Sequence, residues 1–473
     1  MKSATDFYKD TVLDSLADRS NVAQFVSFDP QLRQRYCRIS GIPKSFQFFN
    51  SSDAISKLLD TAPEHKLNIR SFKPEDPQGS TFIRGLESTS TTLDRLRVLG
   101  QEQLFTIVNE SIDVNDGGVS GVLQGGIAEF APWQTPRCVE DQDVASLPGQ
   151  LAFKILARVY GFQPELCASP DLRIEFSVHP FERGYKREKT LIWEEQKVDS
   201  RRLSANVRWP NDFSRLLGDK AFGLLLADAV GLPVPRTQVL SRHLPPFEFG
   251  KYTGSTVKWV RPCPTEKEPG EFTTVRGWTD PFALLAREDS DPSNPRIRSV
   301  LIQDEVPPSY SGAVITLISG DVEIDGVKGF GDELMLGLVS PEALPSEAAQ
   351  SVMRLYRRVH QQFGPLRMEW VFDGKRTWIV QLQQDQSFGE HEDEIFPGTP
   401  DFYVNFDPQH GVKELRRMIE QMAGENFGVR VLGYVGKTSH IAERLTKARI
   451  PSLRQPRQLY LPLRQKSAKT DMD

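Results

Sequence analysis

The chain states one series of short motifs twice. Gly41-Ile42-Pro43, Ile69-Arg70-Ser71-Phe72, Val119-Ser120-Gly121-Val122 and Leu172-Arg173-Ile174-Glu175-Phe176 return in the same order. Their counterparts are Gly231-Leu232-Pro233, Val260-Arg261-Pro262-Cys263, Tyr310-Ser311-Gly312-Ala313 and Leu366-Arg367-Met368-Glu369-Trp370. Pro43 to Pro233 is 190 residues, Arg70 to Arg261 is 191, Ser120 to Ser311 is 191 and Glu175 to Glu369 is 194. A period that long exceeds any solenoid unit and predicts two copies of one domain.

Bulk composition mainly excludes. A 473-residue chain that is 38% hydrophobic and 26% charged can build two or three ordinary cores, and its net charge of −5 argues against general nucleic-acid binding. No apolar run reaches membrane-span length, and Met1-Lys2-Ser3-Ala4-Thr5-Asp6 lacks the apolar stretch of a signal peptide, so the expectation is a soluble, cytoplasmic protein without a membrane partner. Cys37, Cys138, Cys167 and Cys263 show no metal-type pairing and read as buried thiols.

The first copy reads as mixed α and β. Strand candidates are Ala23 to Phe28, then the runs beginning at Leu67, Phe105, Gly118, Arg173 and Lys189, with a helix over Leu147 to Tyr160. The glycines from Asp116-Gly117-Gly118 to Gly125-Gly126 could cradle phosphate but read better as tight hairpins. The second copy opens with a helix over Leu216 to Val230, stopped by Gly231 and Pro233, and a strand over Arg236 to Leu240. Strands at VKWVRP, SVLIQDEV, SGAVITLI, RMEWVFD and RTWIVQLQ follow, with a helix over Ser346 to Phe363. The acidic Glu390-His391-Glu392-Asp393-Glu394 reads as a solvated linker, since contiguous residues cannot all converge on one ion. Beyond it a small α/β unit is expected, with helix Val412 to Met422, strand Val429 to Tyr434 and helix Ser439 to Lys447, then a basic tail. The expected domains are 1–200, 201–390 and 391–473.

The second copy resembles the nucleotide-binding domain shared by phosphoenolpyruvate synthase, pyruvate phosphate dikinase and rifampin phosphotransferase. Five ordered blocks between Leu216 and Gln384 carry the resemblance. They are Leu217-Gly218-Asp219-Lys220 leading to Gly231-Leu232-Pro233-Val234-Pro235; Val260-Arg261; Leu301 to Val306 with Ser311-Gly312; Gly329-Phe330-Gly331-Asp332-Glu333 with Gly337; and Met368-Glu369-Trp370 with Val380-Gln381. The resemblance implies an α/β (α+β) fold with tandem ATP-grasp-like domains, ATP and Mg²⁺ as cofactors, and a site to match. Lys220 and Arg261 would hold phosphate oxygens, and Glu369 and Gln381 the metal. The segment Gln303 to Val306, including Glu305, would line the adenine side, and Pro269-Gly270 lies at the phosphate loop. Such a site needs cations for phosphate and oxygens for the metal. The family's arginine is Gln383 here, so either another cation substitutes or phosphoryl transfer is impaired. The first copy keeps Arg70 and Glu175 but has no equivalent of Lys220, and Trp193-Glu194-Glu195 replaces the Gln end of the motif.

Gly436-Lys437-Thr438-Ser439-His440-Ile441-Ala442 with Ile450-Pro451-Ser452 resembles the phosphohistidine motif of the same dikinases, which implies His440 as a phosphate-carrying nucleophile. The family's arginine six residues after the histidine is Thr446. The leading expectation is dikinase-like phosphotransfer from ATP to an unidentified small molecule through His440. The alternatives are ATP-dependent ligation through an acyl phosphate, and a non-catalytic nucleotide-binding subunit of a complex; a homo-oligomer or a protein complex is open.

Overall fold

Short β-branched and aromatic runs punctuated by Gly and Pro become short strands, and apolar residues spaced three and four apart become helices. The product is a mixed α/β protein. A computed structural model describes residues 8–44, 46–75, 81–134, 143–166, 169, 171–199, 204–265, 272–289, 291, 293–317, 319–384 and 393–455. Among these residues are eleven α-helices and five sheets. The chain divides into two compact units, Met1–Leu216 with Arg242–Phe247 and Leu217–Ser241 with Glu248–Asp473.

In the first unit α1 (Lys9–Arg19) precedes β1 (Phe25–Phe28) and β2 (Gln34–Arg38); α2 (Ser51–Thr61) precedes β3 (Leu67–Phe72) and β4 (Phe82–Leu86); and α3 (Thr89–Gln101) precedes β5 (Phe105–Glu110). The five strands form a sheet ordered β2-β1-β5-β3-β4. Asn50 and Ser88 cap α2 and α3 by accepting from the amides of Asp53 and Thr91. The apolar faces of these helices (Ile55, Leu58, Leu96, Leu99) close over Val26, Phe28, Ile69 and Val108. A second sheet, ordered β10-β9-β6-β7-β8, comprises β6 (Val119–Gln124), β7 (Ile127–Pro132), β8 (Ala145–Pro148), β9 (Leu172–Arg183) and β10 (Glu188–Lys197), with α4 (Gly149–Tyr160) before β9. Gly125 and Gly126, both with positive φ, make the two-residue turn between β6 and β7, as the hairpin reading expects.

After α5 (Asp212–Leu217), the second unit runs α6 (Asp219–Ala229), β11 (Thr237–Ser241), β12 (Phe247–Phe249), β13 (Lys258–Pro264), β14 (Val275–Arg276), α7 (Pro281–Glu288) and β15 (Ile297–Asp304). Then come β16 (Tyr310–Thr316), β17 (Val322–Lys328), α8 (Asp332–Leu336), α9 (Ser346–Phe363), β18 (Arg367–Phe372) and β19 (Thr377–Gln383). The sheets are ordered β12-β11-β15-β13-β14 and β17-β16-β18-β19. Strand for strand, these orders are those of the first unit, which among the described residues adds β8. The registers agree as well. Arg70 faces Ile107 as Arg261 faces Leu301, and Glu175 faces Val122 as Glu369 faces Ala313. In β10 a bulge leaves Trp193 between Ile192 and Glu194, and in β19 the corresponding bulge leaves Val380 between Ile379 and Gln381.

A small sheet closes the second unit: β20 (Glu394–Phe396), β21 (Phe402–Phe406), α10 (Gly411–Gln421), β22 (Phe427–Val431), α11 (His440–Lys447) and β23 (Ser452–Arg454), in the order β20-β23-β22-β21. Here β21, β22 and β23 run parallel. Ile395, Phe406, Leu415, Val429, Val431, Ile441 and Leu445 form its core.

One expected helix is two. The apolar run from Leu216 to Val230 breaks at Gly218, where φ is 91°. β13 passes so close that a Cβ at Gly218 would lie 2.5 Å from that of Cys263, and Ser299 Oγ donates to the Leu217 carbonyl that a continuous helix would use. Cys138, Cys167, Pro269-Gly270, residues 390–392 of the acidic linker and the tail beyond Gln455 lie outside the described residues.

The repeated Ser-Gly block has a steric cause. A Cβ at Gly121 would lie 2.4 Å from the Glu129 carbonyl oxygen, and one at Gly312 would lie 2.0 Å from that of Asp325. Glu129 and Asp325 occupy equivalent register positions in β7 and β17. Gly312→Ala is therefore expected to lower stability by roughly 1–3 kcal/mol through overpacking, read as a lower urea midpoint at unchanged slope.

Candidate functional site

Alternation along β13 sends Trp259 and Arg261 to one face of their sheet. Val260, between them, packs with Leu284 and Val300 on the other. The exposed face forms a cleft with the β17-β16-β18-β19 sheet. Its walls are Trp259, Arg261, Gln303 and Asp304 from one sheet, Ser311, Gly312, Glu369, Val371 and Val380 from the other, and Phe330, Asp332 and Met335 at α8.

Arg261 joins the two sheets. Its Nη1 donates to the carbonyl of the bulged Val380 at 3.2 Å, and its guanidinium lies 5.7 Å from the centre of the Trp259 ring. Its Nε is buried without an acceptor, a donor that an anionic oxygen in the cleft would satisfy. Glu369 and Gln381 sit directly opposite each other on β18 and β19, so two oxygen-bearing side chains share one face as joint cation ligation requires. Glu369 lines the cleft; Gln381 is buried and is not among the lining residues. Gln303 also lines it, its amide donating to Thr237 Oγ1 at 3.2 Å. Lys220, in the first turn of α6, acts electrostatically on Cys263, two residues along β13 from Arg261, and is not among the lining residues.

Glu305 is otherwise engaged. Arg276 grips it with two bonds, Nε to Oε2 at 2.6 Å and Nη2 to Oε1 at 3.1 Å, and Glu305 is not among the lining residues. The Arg276 guanidinium also lies 4.7 Å from the Phe330 ring centre, and Phe330 lies 6.2 Å from Trp259. This aromatic end of the cleft escaped the sequence reading, although Trp259 stands two residues from Arg261 and the strand period places it on the same face. The half-buried pair of Lys258 with Asp304 had no such signal, because its partners stand 46 residues apart on two strands.

His440 opens α11, with Ser439 as its N-cap accepting from the Ala442 amide. It is not among the residues lining the cleft. Its Nδ1 lies 3.4 Å from Glu443 Oε2, and Glu443 is held at 2.8 Å by Arg367 Nη1. Arg367 also donates to the Thr438 carbonyl. Thr438 in turn donates from its amide (3.2 Å) and its hydroxyl (2.8 Å) to Asp325 on β17, and Arg454 pairs with Glu323 at 3.1 Å. Burial pulls the Lys437 ammonium below the usual lysine range, with Glu323 opposing. The segment carrying His440 is thus fastened to the β16–β19 sheet by buried polar bonds.

At the equivalent positions the first unit presents different chemistry. Asn109 stands for Gln303, Glu110 for Asp304, Glu194 for Gln381 and Trp193 for Val380. Glu175 is bound by Arg173 at 2.6 Å, and Glu110 accepts from the Gln24 amide and side chain while burial raises its carboxyl. The Trp193 indole donates to Ser177 Oγ, which bonds His179 Nε2; His179 Nδ1 meets Asp116, each at 2.8 Å. Arg183 completes the chain to Asp116 and Glu64. Ser177 and His179 are almost wholly buried, so this Ser-His-Asp order is a core network.

No family model matches the sequence, and no curated protein matches it. Among solved structures, similarity is found to a RimK domain ATP-grasp protein from Sphaerobacter thermophilus (16% identity, 36% of this chain, 59% of that one, TM-score 0.23). It is also found to the macrocyclase MdnB from Microcystis aeruginosa (13%, 38%, 56%, 0.22) and to the D-alanine-D-alanine ligase from Coxiella burnetii (9%, 50%, 80%, 0.22). The chain thus spans under two thirds of the length of the first two.

Among the described residues no helix is long and apolar enough to cross a bilayer. Burial pushes the Cys263 thiol up to about 11 against a weaker pull from Lys220, and burial likewise takes Cys37 to about 11. At pH 8 only about one such thiol in a thousand is ionised. Both should resist iodoacetamide in the native protein and react fully in denaturant, as read by peptide mass spectrometry. Native labelling of Cys263 would show that the α6–β13 contact opens.

Proposed function

We propose that the second unit binds Mg-ATP in an ATP-grasp-like cleft and uses it to activate a carboxylate for ligation. The observation that carries this reading is the meeting of Arg261, Gln303 and Glu369, from strands of two sheets, in one cleft. The donor set fits the nucleotide: Arg261 supplies an unsatisfied cationic donor for phosphate, and Glu369 supplies a hard oxygen ligand for Mg²⁺, with Gln381 opposite it on β19. When bound, the metal would neutralise phosphate charge. The acceptor's carboxylate oxygen would bond to the γ-phosphorus as the bond to the β-bridging oxygen breaks and ADP leaves. A nucleophilic nitrogen would then bond to the acyl carbon, phosphate would depart, and the nitrogen's proton would pass to solvent.

Ligation is preferred to a phosphohistidine relay on a physical ground. A carrier histidine must travel between donor and acceptor, whereas the segment bearing His440 is fastened through Thr438, Glu443 and Arg454. The relay stands as the second reading because His440 reaches the Glu369 strand through only Glu443 and Arg367.

A non-hydrolysable ATP analogue titrated with Mg²⁺ should bind one per chain, because Trp193 and Glu194 replace Val380 and Gln381 in the first unit. Arg261→Ala should weaken binding at least about tenfold, from the loss of a charge-assisted phosphate contact. Two analogues per chain would overturn the single-site reading. Incubation with ATP labelled at the β position separates the two chemistries. Ligation predicts no labelled protein, with ADP formed once a carboxylate acceptor and an amine are supplied; an acid-labile label that His440→Ala abolishes, with AMP released, would favour the relay.

A further inference from the structure

Two separate contacts run from the α11 segment to two elements that line the cleft, β18 and α8. The first is the buried Arg367, 2% exposed, whose guanidinium joins Glu443 and the Thr438 carbonyl and whose backbone lies two residues from Glu369 on the same strand face. The second is at the end of α8, the helix that presents Asp332 and Met335 to the cleft. There a Cβ at Gly337 would lie 3.0 Å from Ile441 and 3.5 Å from Val435, so the turn after α8 rests on one residue of the His440 motif and one just before it. Arg367 also stands directly opposite Gln383, as Glu369 stands opposite Gln381. The guanidinium missing from position 383 is therefore present across the ladder, turned toward α11 and committed there.

We infer that Arg367 is a positioning residue of the cleft: through Glu443 and Thr438, the small C-terminal sheet holds β18 so that Glu369 faces the cation. This rests on the Mg-ATP reading above and extends it to a residue pair that does not line the cleft. A carboxylate ligand is only as well placed as the strand that bears it. Loss of an outer partner of a metal ligand typically weakens metal binding by about ten- to a hundredfold. An Arg fork holds two acceptors at fixed geometry, which a lysine cannot do.

The test measures the Mg²⁺ concentration giving half-maximal binding of a non-hydrolysable ATP analogue to the full-length protein, with thermal unfolding followed in parallel. Glu443→Gln, which keeps shape and removes charge, is expected to raise that midpoint roughly tenfold. Arg367→Lys should raise it too, by less than Arg367→Ala. Glu323→Gln removes the charge paired with Arg454 and with Lys437 at the same sheet contact while leaving the Arg367 bonds to Glu443 and Thr438 in place, and should leave the midpoint where it is. If Glu443→Gln and Arg367→Lys both bind with the wild-type Mg²⁺ dependence, the positioning role is wrong. It is equally wrong if Glu323→Gln shifts the midpoint as far, since general loosening then accounts for the effect. Should Arg367→Lys fail to fold, the isosteric Glu443→Gln decides. A wild-type protein that binds no analogue would remove the Mg-ATP reading and this inference together, whereas wild-type binding with unshifted variants removes the inference alone.

Discussion

Everything in the cleft depends on one side chain that belongs to both of its walls. Arg261 grows from β13, yet its guanidinium bonds to the Val380 carbonyl on β19. A bulge makes that carbonyl available, because the extra residue stands outside the β18–β19 pairing. The two sheets are thereby joined by a charged group whose buried Nε is left over for whatever enters. A purely apolar contact would hold the sheets equally well, but it would offer a ligand nothing.

Much of the fold was legible because strand and helix periods are local properties. The runs at Leu67, Phe105, Ser346 and Arg367 became β3, β5, α9 and β18 with little change in their limits. The repeated motifs foretold the repeated strand order, since Arg70 and Arg261, and Glu175 and Glu369, hold matching registers. What stayed hidden was decided by tertiary approach. The break at Gly218 comes from Cys263 crossing close by, and the short strands β14, β20 and β23 owe their identity to partners far along the chain.

The candidate site was legible unevenly, for the same reason. Arg261, Gln303 and Glu369 converge on the cleft, whereas Glu305 is drawn off by Arg276, and Lys220 lies near Cys263 rather than on the lining. Neighbours in sequence gave no warning that Arg276, 29 residues away, would claim Glu305. His440 shows the reverse. Its motif was read for chemistry, and within it Thr438 makes two buried hydrogen bonds to Asp325 on β17.

The bulge common to both units bears on how such a duplicated fold can change. Residues in the ladder are constrained twice, by their side-chain contacts and by the backbone bonds their neighbours need. A bulged residue escapes the second constraint, so Val380 and Trp193 can differ greatly in size while the strands around them keep one register. The sheet thus contains a position at which a cavity can be opened or filled by a single substitution without rebuilding its frame. A cleft wall in one unit and a half-buried tryptophan bonded to Ser177 in the other are two outcomes of the same local freedom.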